Sequence, residues 1–146
     1  MRATPLDLAT RRHKALSHPV RVRILALLRA KELCVCEINA VIGLAPSTVS
    51  AHLRELRTSG LVAERKAGRW VHYRLAEGDP AANTVMAALW PALEGDPLLA
   101  DDARVLGRLD EMPVEALCRP DFDPVALRTS CCGATTEPTR RERRHA

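Results

Sequence analysis

The chain has 146 residues, 47% of them apolar but only 3% aromatic, so it fits one domain, or one domain with a tail, whose core must be built from aliphatic side chains. No run approaches the roughly 18 apolar residues of a membrane span, and the opening MRATPLDLATRRHK lacks the apolar stretch of a secretion signal; a cytoplasmic protein with no membrane partner is expected. The net charge of +4 hides a division. Residues 1–78 carry 14 Lys and Arg against 6 acids, residues 79–136 carry 4 Arg against 10 acids, and the last ten residues carry 4 Arg and 2 Glu, so the first half favours a polyanionic partner and the second does not.

Residues 5–16 read as a first helix, with Leu6, Leu8, Ala9 and Leu16 apolar and Arg11, Arg12, His13 and Lys14 making it locally basic. Ser17-His18-Pro19 restarts the chain, and Val20, Ile24, Leu27 and Leu28 then recur at helical spacing as far as Ala30. The segment ELCVCEINAVIGL at 32–44 predicts a short third helix that turns Ile38, Val41 and Ile42 inward and ends at Gly43. Ala45 to Gly60, APSTVSAHLRELRTSG, predicts a fourth helix: Val49, Leu53 and Leu56 share one face, Pro46 suits the first turn and Gly60 the stop. Its other face carries Ser47, Ser50, Ala51, Arg54 and Thr58, short hydrogen-bonding groups with a cation and no acid. Two short helices joined through a glycine turn form a helix-turn-helix, whose second member enters the major groove of DNA.

From Leu61 the period changes from 3.6 to 2. VAERK and RWVHYRLA predict two strands joined at Ala67-Gly68, with Arg65, Lys66 and Arg69 clustered at the tip, where a phosphate contact is the cheapest use of a cation. A basic hairpin after a helix-turn-helix makes a winged helix. Asp79-Pro80 opens a further helix to about Glu94, with Val85, Met86, Leu89, Trp90 and Leu93 apolar and a kink expected at Pro91. Leu98 to Met112 is amphipathic through Leu99, Ala103, Leu106 and Leu109. Beyond it, Pro113, Pro120, Pro124 and Pro138 among Ser, Thr and terminal Arg predict a loose tail, with RRERRHA as a solvated end. The fold expected is mostly α with a small β-hairpin: a winged domain over residues 4–98 that includes a dimerisation helix, then a helix and flexible cysteine-containing tail over 99–146.

The five cysteines, an odd number, are Cys34, Cys36, Cys118, Cys131 and Cys132; in a reducing compartment such thiols are more often metal ligands, redox sensors or inert core residues than disulfides. A thiol reductase needs a thiolate beside oxyanion donors, commonly with Arg six residues later. The sixth positions here are Ala40, Ile42, Pro124, Glu137 and Pro138, so an enzyme is not expected.

The words LSHPVRVRILALL at 16–28, ELCVCEI at 32–38, STVSAHLRELRTSGLV at 47–62 and RKAGRWVHYRL at 65–75 together make the chain resemble the ArsR/SmtB family of metal-responsive winged-helix repressors, and within it the arsenical-resistance repressors. The resemblance covers about residues 4–95. It implies a homodimer joined through terminal helices, bound to double-stranded operator DNA, and released when As(III) or Sb(III) binds cysteine thiolates. The implied DNA-contacting residues are Ser47, Thr48, Ser50, Ala51, Arg54, Arg57 and Thr58 on the helix and Arg65, Lys66 and Arg69 on the wing; the implied inducer ligands are Cys34 and Cys36, with Cys118, Cys131 and Cys132 as candidates for the rest.

Two departures bear on this. Ala45 stands where relatives often carry a capping Ser, and Asn39 stands where the arsenical repressors frequently carry a third Cys. If 32–44 is helical throughout, the Cys34 and Cys36 side chains point about 200 degrees apart, so the helix start must unwind for both to hold one ion. Glu37 reads as a capping or solvated carboxylate, since a soft site prefers thiolates. The absence of His from 80–94 argues against the zinc site some relatives carry there, His13, His18, His52 and His72 show no ligand spacing, and the lack of a Cys before Cys34 argues against the cadmium and lead sensors that share the CVC word. A thiol-redox repressor, or a cadmium or lead repressor, on the same scaffold is the alternative.

Overall fold

The computed structural model of the protein describes residues 2–133. Pro138 and RRERRHA, read above as tail, lie outside those residues.

Helix α1 (Pro5–Ala15) starts at Thr4, whose Oγ1 accepts from Asp7 N–H at 3.1 Å while Asp7 Oδ2 accepts from Thr4 N–H at 3.0 Å, a reciprocal cap. Helix α2 (Pro19–Ala30) is capped by His18, whose Nδ1 accepts from Val20 N–H at 3.1 Å. A short strand β1 (Leu33–Cys34) precedes α3 (Val35–Ile42), and Gly43, at φ 75°, makes the left-handed turn that no side chain adopts cheaply. Helix α4 (Pro46–Thr58) begins at Ala45 with no side-chain cap and has Pro46 at its first position. The wing is β2 (Val62–Ala67) and β3 (Trp70–Leu75), paired Val62↔Leu75 through Ala67↔Trp70 across a two-residue loop whose first residue, Gly68, sits at φ 61°.

The sheet has three strands in the order β1-β3-β2, all antiparallel, with Leu33 opposite Tyr73 and Cys34 opposite His72. The sequence reading made Leu33 and Cys34 part of a helix. Their pairing with β3 holds them extended, and α3 starts one residue after Cys34.

Helices α5 (Pro80–Leu93), α6 (Pro97–Leu109) and α8 (Pro124–Cys132) share one device: Asp79, Asp96 and Asp123 each accept from two first-turn amides, and a proline follows. Pro91 lies in the last turn of α5, which continues to Leu93. A single turn, α7 (Val114–Leu117), sits between α6 and α8. The loose tail expected from Pro113 onward is therefore helical over much of its described length. Asp123-Pro124 starts a helix just as Asp79-Pro80 does, and its proline breaks nothing.

Ile24, Leu25, Ile38, Val49, Leu53 and Leu56 form the centre of the core, drawn from α2, α3 and α4. Val105, Leu106 and Leu109 of α6 and Leu117 of α7 belong to the same cluster, so the residues after 98 complete the core of the winged part. A buried ion triad ties them in. Asp102 of α6, 1% exposed, accepts from Arg23 of α2 through Nε at 2.8 Å and Nη2 at 2.9 Å, and also from Arg128 of α8, whose Nη2 reaches the Val41 carbonyl of α3 at 3.0 Å as well.

Candidate functional site

Helix α4 turns Val49, Leu53 and Leu56 into the core and leaves Ser47, Thr48, Ser50, Ala51, Arg54, Arg57 and Thr58 exposed, the division its periodicity predicts. Arg54 makes no ion pair among the described residues, whereas Arg57 Nη1 donates to Glu64 Oε1 of β2 at 2.7 Å and Thr58 Oγ1 donates to the Arg54 carbonyl at 2.7 Å. Of the helix cations, Arg54 is the one free to leave the surface.

The end of α4 is held by Arg12, which the sequence shows only as one member of a locally basic run. Arg12 is 6% exposed: its Nε donates to the Ser59 carbonyl at 3.1 Å and its Nη2 to Asp79, so one guanidinium joins α1, the end of α4 and the start of α5. Hydrogen bonding from Arg12 holds the Asp79 carboxyl below the usual carboxylate range. Midway along α4, the His52 ring lies 4.4 Å from that of His18, centroid to centroid, 34 positions earlier, and so ties α4 to the start of α2. Burial first, then His18 and Arg21, push the His52 pKa down. No sequence spacing reveals that histidine pair, because it forms between helices.

On the wing, Lys66 and Arg69 are exposed near the loop, and the Arg69 guanidinium lies 4.9 Å over the Trp70 ring. Arg65 is differently placed from the tip cation expected. Pairing opposite His72 brings it to Glu32, whose Oε1 accepts from Arg65 Nε at 3.1 Å and from Nη2, and this hydrogen bonding lowers the Glu32 pKa. Glu32 lies two residues before Cys34. It links the wing to the thiol segment, and nothing in the residue pattern marked it.

Cys34 is 1% exposed and caps α3 in an extended conformation, φ −79° and ψ 162°. Glu37 Oε1 accepts from Cys34 N–H at 3.0 Å, which makes Glu37 a cap, as read. Burial pushes the Cys34 thiol up; the first-turn amides of Glu37 and Cys36 oppose this, and the Glu37 carboxylate reinforces it. Because Cys34 precedes the helix and Cys36 lies within it, the 200-degree divergence of an ideal helix does not apply, and no unwinding is needed on that ground.

Cys36 is joined by a disulfide to Cys118, at the end of α7, with Cα atoms 5.4 Å apart. Disulfide bonding was the role the sequence reading placed last for these thiols. The pairing arises because α7 packs on α3 through Leu117, which puts an extra sulfur on the helix that lacks one at Asn39. Cys131 and Cys132 lie at the far end of α8, their Sγ atoms 3.3 Å apart, with Cys132 near the Asp101 carbonyl at 3.6 Å. Pro124 lines a cavity with Cys36 and Cys118, and eight residues of helix carry the chain about 12 Å from there to Cys132. The five cysteines therefore fall into two groups, and the vicinal pair is apart from the CVC segment within one chain.

Comparison with known proteins agrees with this geometry. A family profile described as bacterial regulatory protein, arsR family, matches residues 18–64. The arsenic resistance transcriptional regulator ArsR2 of Pseudomonas putida is 35% identical over 108 residues, which cover 72% of this chain and 92% of that protein. The arsenical resistance operon repressor of Escherichia coli is 44% identical over 69 residues, 47% of this chain and 59% of that one. Among solved structures, the homodimeric winged helix-turn-helix DNA-binding domain of Mb0332 from Mycobacterium bovis, a possible ArsR-family regulator, superposes with a TM-score of 0.54 at 36% identity, covering 61% of this chain and 82% of that one. The chain belongs to the arsR family of bacterial regulatory proteins, DNA-binding regulators of transcription built on a winged helix-turn-helix.

Proposed function

We propose that the chain is a metalloid-responsive repressor. As a cytoplasmic homodimer it binds double-stranded operator DNA through Ser47, Thr48, Ser50, Ala51, Arg54, Arg57 and Thr58 of α4 and Arg65, Lys66 and Arg69 of the wing, and it leaves the operator when As(III) or Sb(III) is captured by Cys34, Cys36 and Cys118. The relatives named for arsenic resistance support the inducer class. The observation that carries the site is Cys118 seated against Cys36, which supplies the sulfur missing at Asn39. With the thiols reduced, the donor set is three soft sulfurs, as trivalent arsenic requires. Each thiol displaces one hydroxyl of arsenous acid as water, so three As–S bonds form and three waters leave.

Dimer formation is supported by the half-exposed Leu89, Trp90 and Leu93 of α5 and by Leu6 and Leu98, which are 75% and 42% exposed. Release follows from where Cys34 sits. It is paired with the wing strand and caps the helix leading into α4, so a ligand drawing Cys34 toward Cys36 and Cys118 bears on both DNA-reading elements. Cys131 and Cys132 stand as a second thiol pair outside this set. The division proposed is one of role, not of separate cores: residues 4–98 carry the DNA-reading elements and the dimerisation helix, and the extension over 99–146 carries Cys118, Cys131 and Cys132.

The test is a gel-shift titration of operator-bound, reduced protein with arsenite, antimonite, cadmium, lead and peroxide. Release by arsenite and antimonite at the lowest concentrations, lost in Cys36→Ser, is expected; release by cadmium or lead alone would refute the metalloid reading. The Cys36–Cys118 disulfide favours a second reading, a thiol-redox repressor, which predicts release by peroxide and none by arsenite.

A further inference from the structure

We infer that the Cys36–Cys118 disulfide is a redox gate on the inducer site: oxidation closes the site to the metalloid while the repressor stays on DNA, and reduction opens it. The inference rests on the reading of Cys34, Cys36 and Cys118 as the ligands. The disulfide consumes two of those three sulfurs and leaves Cys34 alone and 1% exposed, so no pair of free thiols remains at the site.

Two features make the gate reversible. Cys36 and Cys118 are half-buried and line an open cavity with Asn39, Leu117 and Phe122, so small oxidants, reductants and arsenous acid share one route to them. In addition, Cys118 is held near Cys36 by contacts that do not involve sulfur. Leu117 is 6% exposed, Phe122 and Leu127 pack against the core, and Arg128 fastens α8 to Asp102 and to the Val41 carbonyl. Opening the disulfide therefore leaves both thiols in place for a ligand, whereas a sulfur on an unanchored tail would drift away.

Closing by hydrogen peroxide balances as two thiols and one peroxide giving one disulfide and two waters. The sulfurs surrender two electrons, which break the O–O bond, and two protons, which complete the waters. A dithiol reverses it by exchange, ending as its own disulfide with both protein thiols restored. Neither step touches β1, α4 or the wing, so operator binding persists in both states.

The test uses the full chain with Cys131→Ser and Cys132→Ser, so that only Cys34, Cys36 and Cys118 remain. Denatured, it should show three free thiols when reduced and one after peroxide. Sodium arsenite binding, followed by calorimetry, should be present in the reduced protein, lost after peroxide and regained with dithiothreitol, while operator affinity stays the same in all three states without arsenite. Adding Cys118→Ser should abolish the loss of thiols with peroxide. Arsenite binding that survives complete formation of the disulfide overturns the gate alone, as does release of the operator by peroxide. Failure of the reduced protein to bind arsenite refutes the ligand set itself, and the gate falls with it.

Discussion

Replacing Asp102 with Ala should be among the most damaging single changes in this protein, and worse than removing Arg128, its partner on α8. The Asp102 side chain is 2% exposed, and each of its two arginine partners is 14% exposed. Without the carboxylate, two guanidiniums remain almost dry with no counter-charge, a loss of about 3–5 kcal/mol. Arg128→Met leaves the two-point Arg23–Asp102 pair intact and charge-balanced, and gives up chiefly the charge-assisted bond to the Val41 carbonyl, about 1.5–3 kcal/mol. Urea denaturation at fixed protomer concentration should resolve the two, and heating should lower the Asp102→Ala midpoint by about 10–20 °C. The double variant should be more stable than Asp102→Ala alone, because it removes one of the stranded cations. Equal costs for the two single changes, or a double variant no better than Asp102→Ala, would refute the charge-balance argument.

Arg12→Ala should cost about 1.5–3 kcal/mol, read from urea denaturation, through loss of the buried charged bond to the Ser59 carbonyl. Arg54→Ala should weaken operator binding by about 1–3 kcal/mol if it reads a base, with Arg69→Ala weakening all sequences alike and flattening the salt dependence; fluorescence anisotropy over a salt series separates the two. His52 has a folded pKa below its ordinary value of 6.5, so the unfolded chain takes up the proton first and stability falls as pH drops through about 6.5. The urea midpoint should therefore decline between pH 7.5 and 5.5, and decline less in His52→Asn. Replacing Cys131 and Cys132 with Ser should leave arsenite release of the operator unchanged, as judged by gel shift, because the vicinal pair lies at the other end of α8 from Cys36 and Cys118.

The winged half was legible because its signals are local. The spacing of Val49, Leu53 and Leu56 fixes which face of α4 is buried, and Gly43, Gly60 and Gly68 mark turns that all take positive φ. The strand at Leu33 and Cys34 was hidden because two residues carry no period; only their partners on β3 make them extended. Helix α8 was hidden for another reason. Pro124 reads in sequence as one breaker among several, although Asp123-Pro124 repeats the start at Asp79-Pro80. The buried roles of Arg12, Arg23 and Arg128, the His18–His52 stack and the meeting of Cys36 with Cys118 are all products of tertiary packing, and arginine or cysteine at a given position says nothing of a partner tens of residues away, 82 in the case of the two cysteines.

That separation also orders events in time. At ribosomal rates of about 5–20 residues per second, Cys118 is made some 4–16 s after Cys36, when the helix-turn-helix and the wing have already been synthesised. The DNA-reading elements are made first and α6 and Leu117 then complete their core, while the sulfur proposed to complete the sensor follows immediately after, in one of the last described segments. Each new molecule thus gains its operator-binding parts first and its means of induction last, so a chain truncated ahead of Cys118 would be expected to repress without listening.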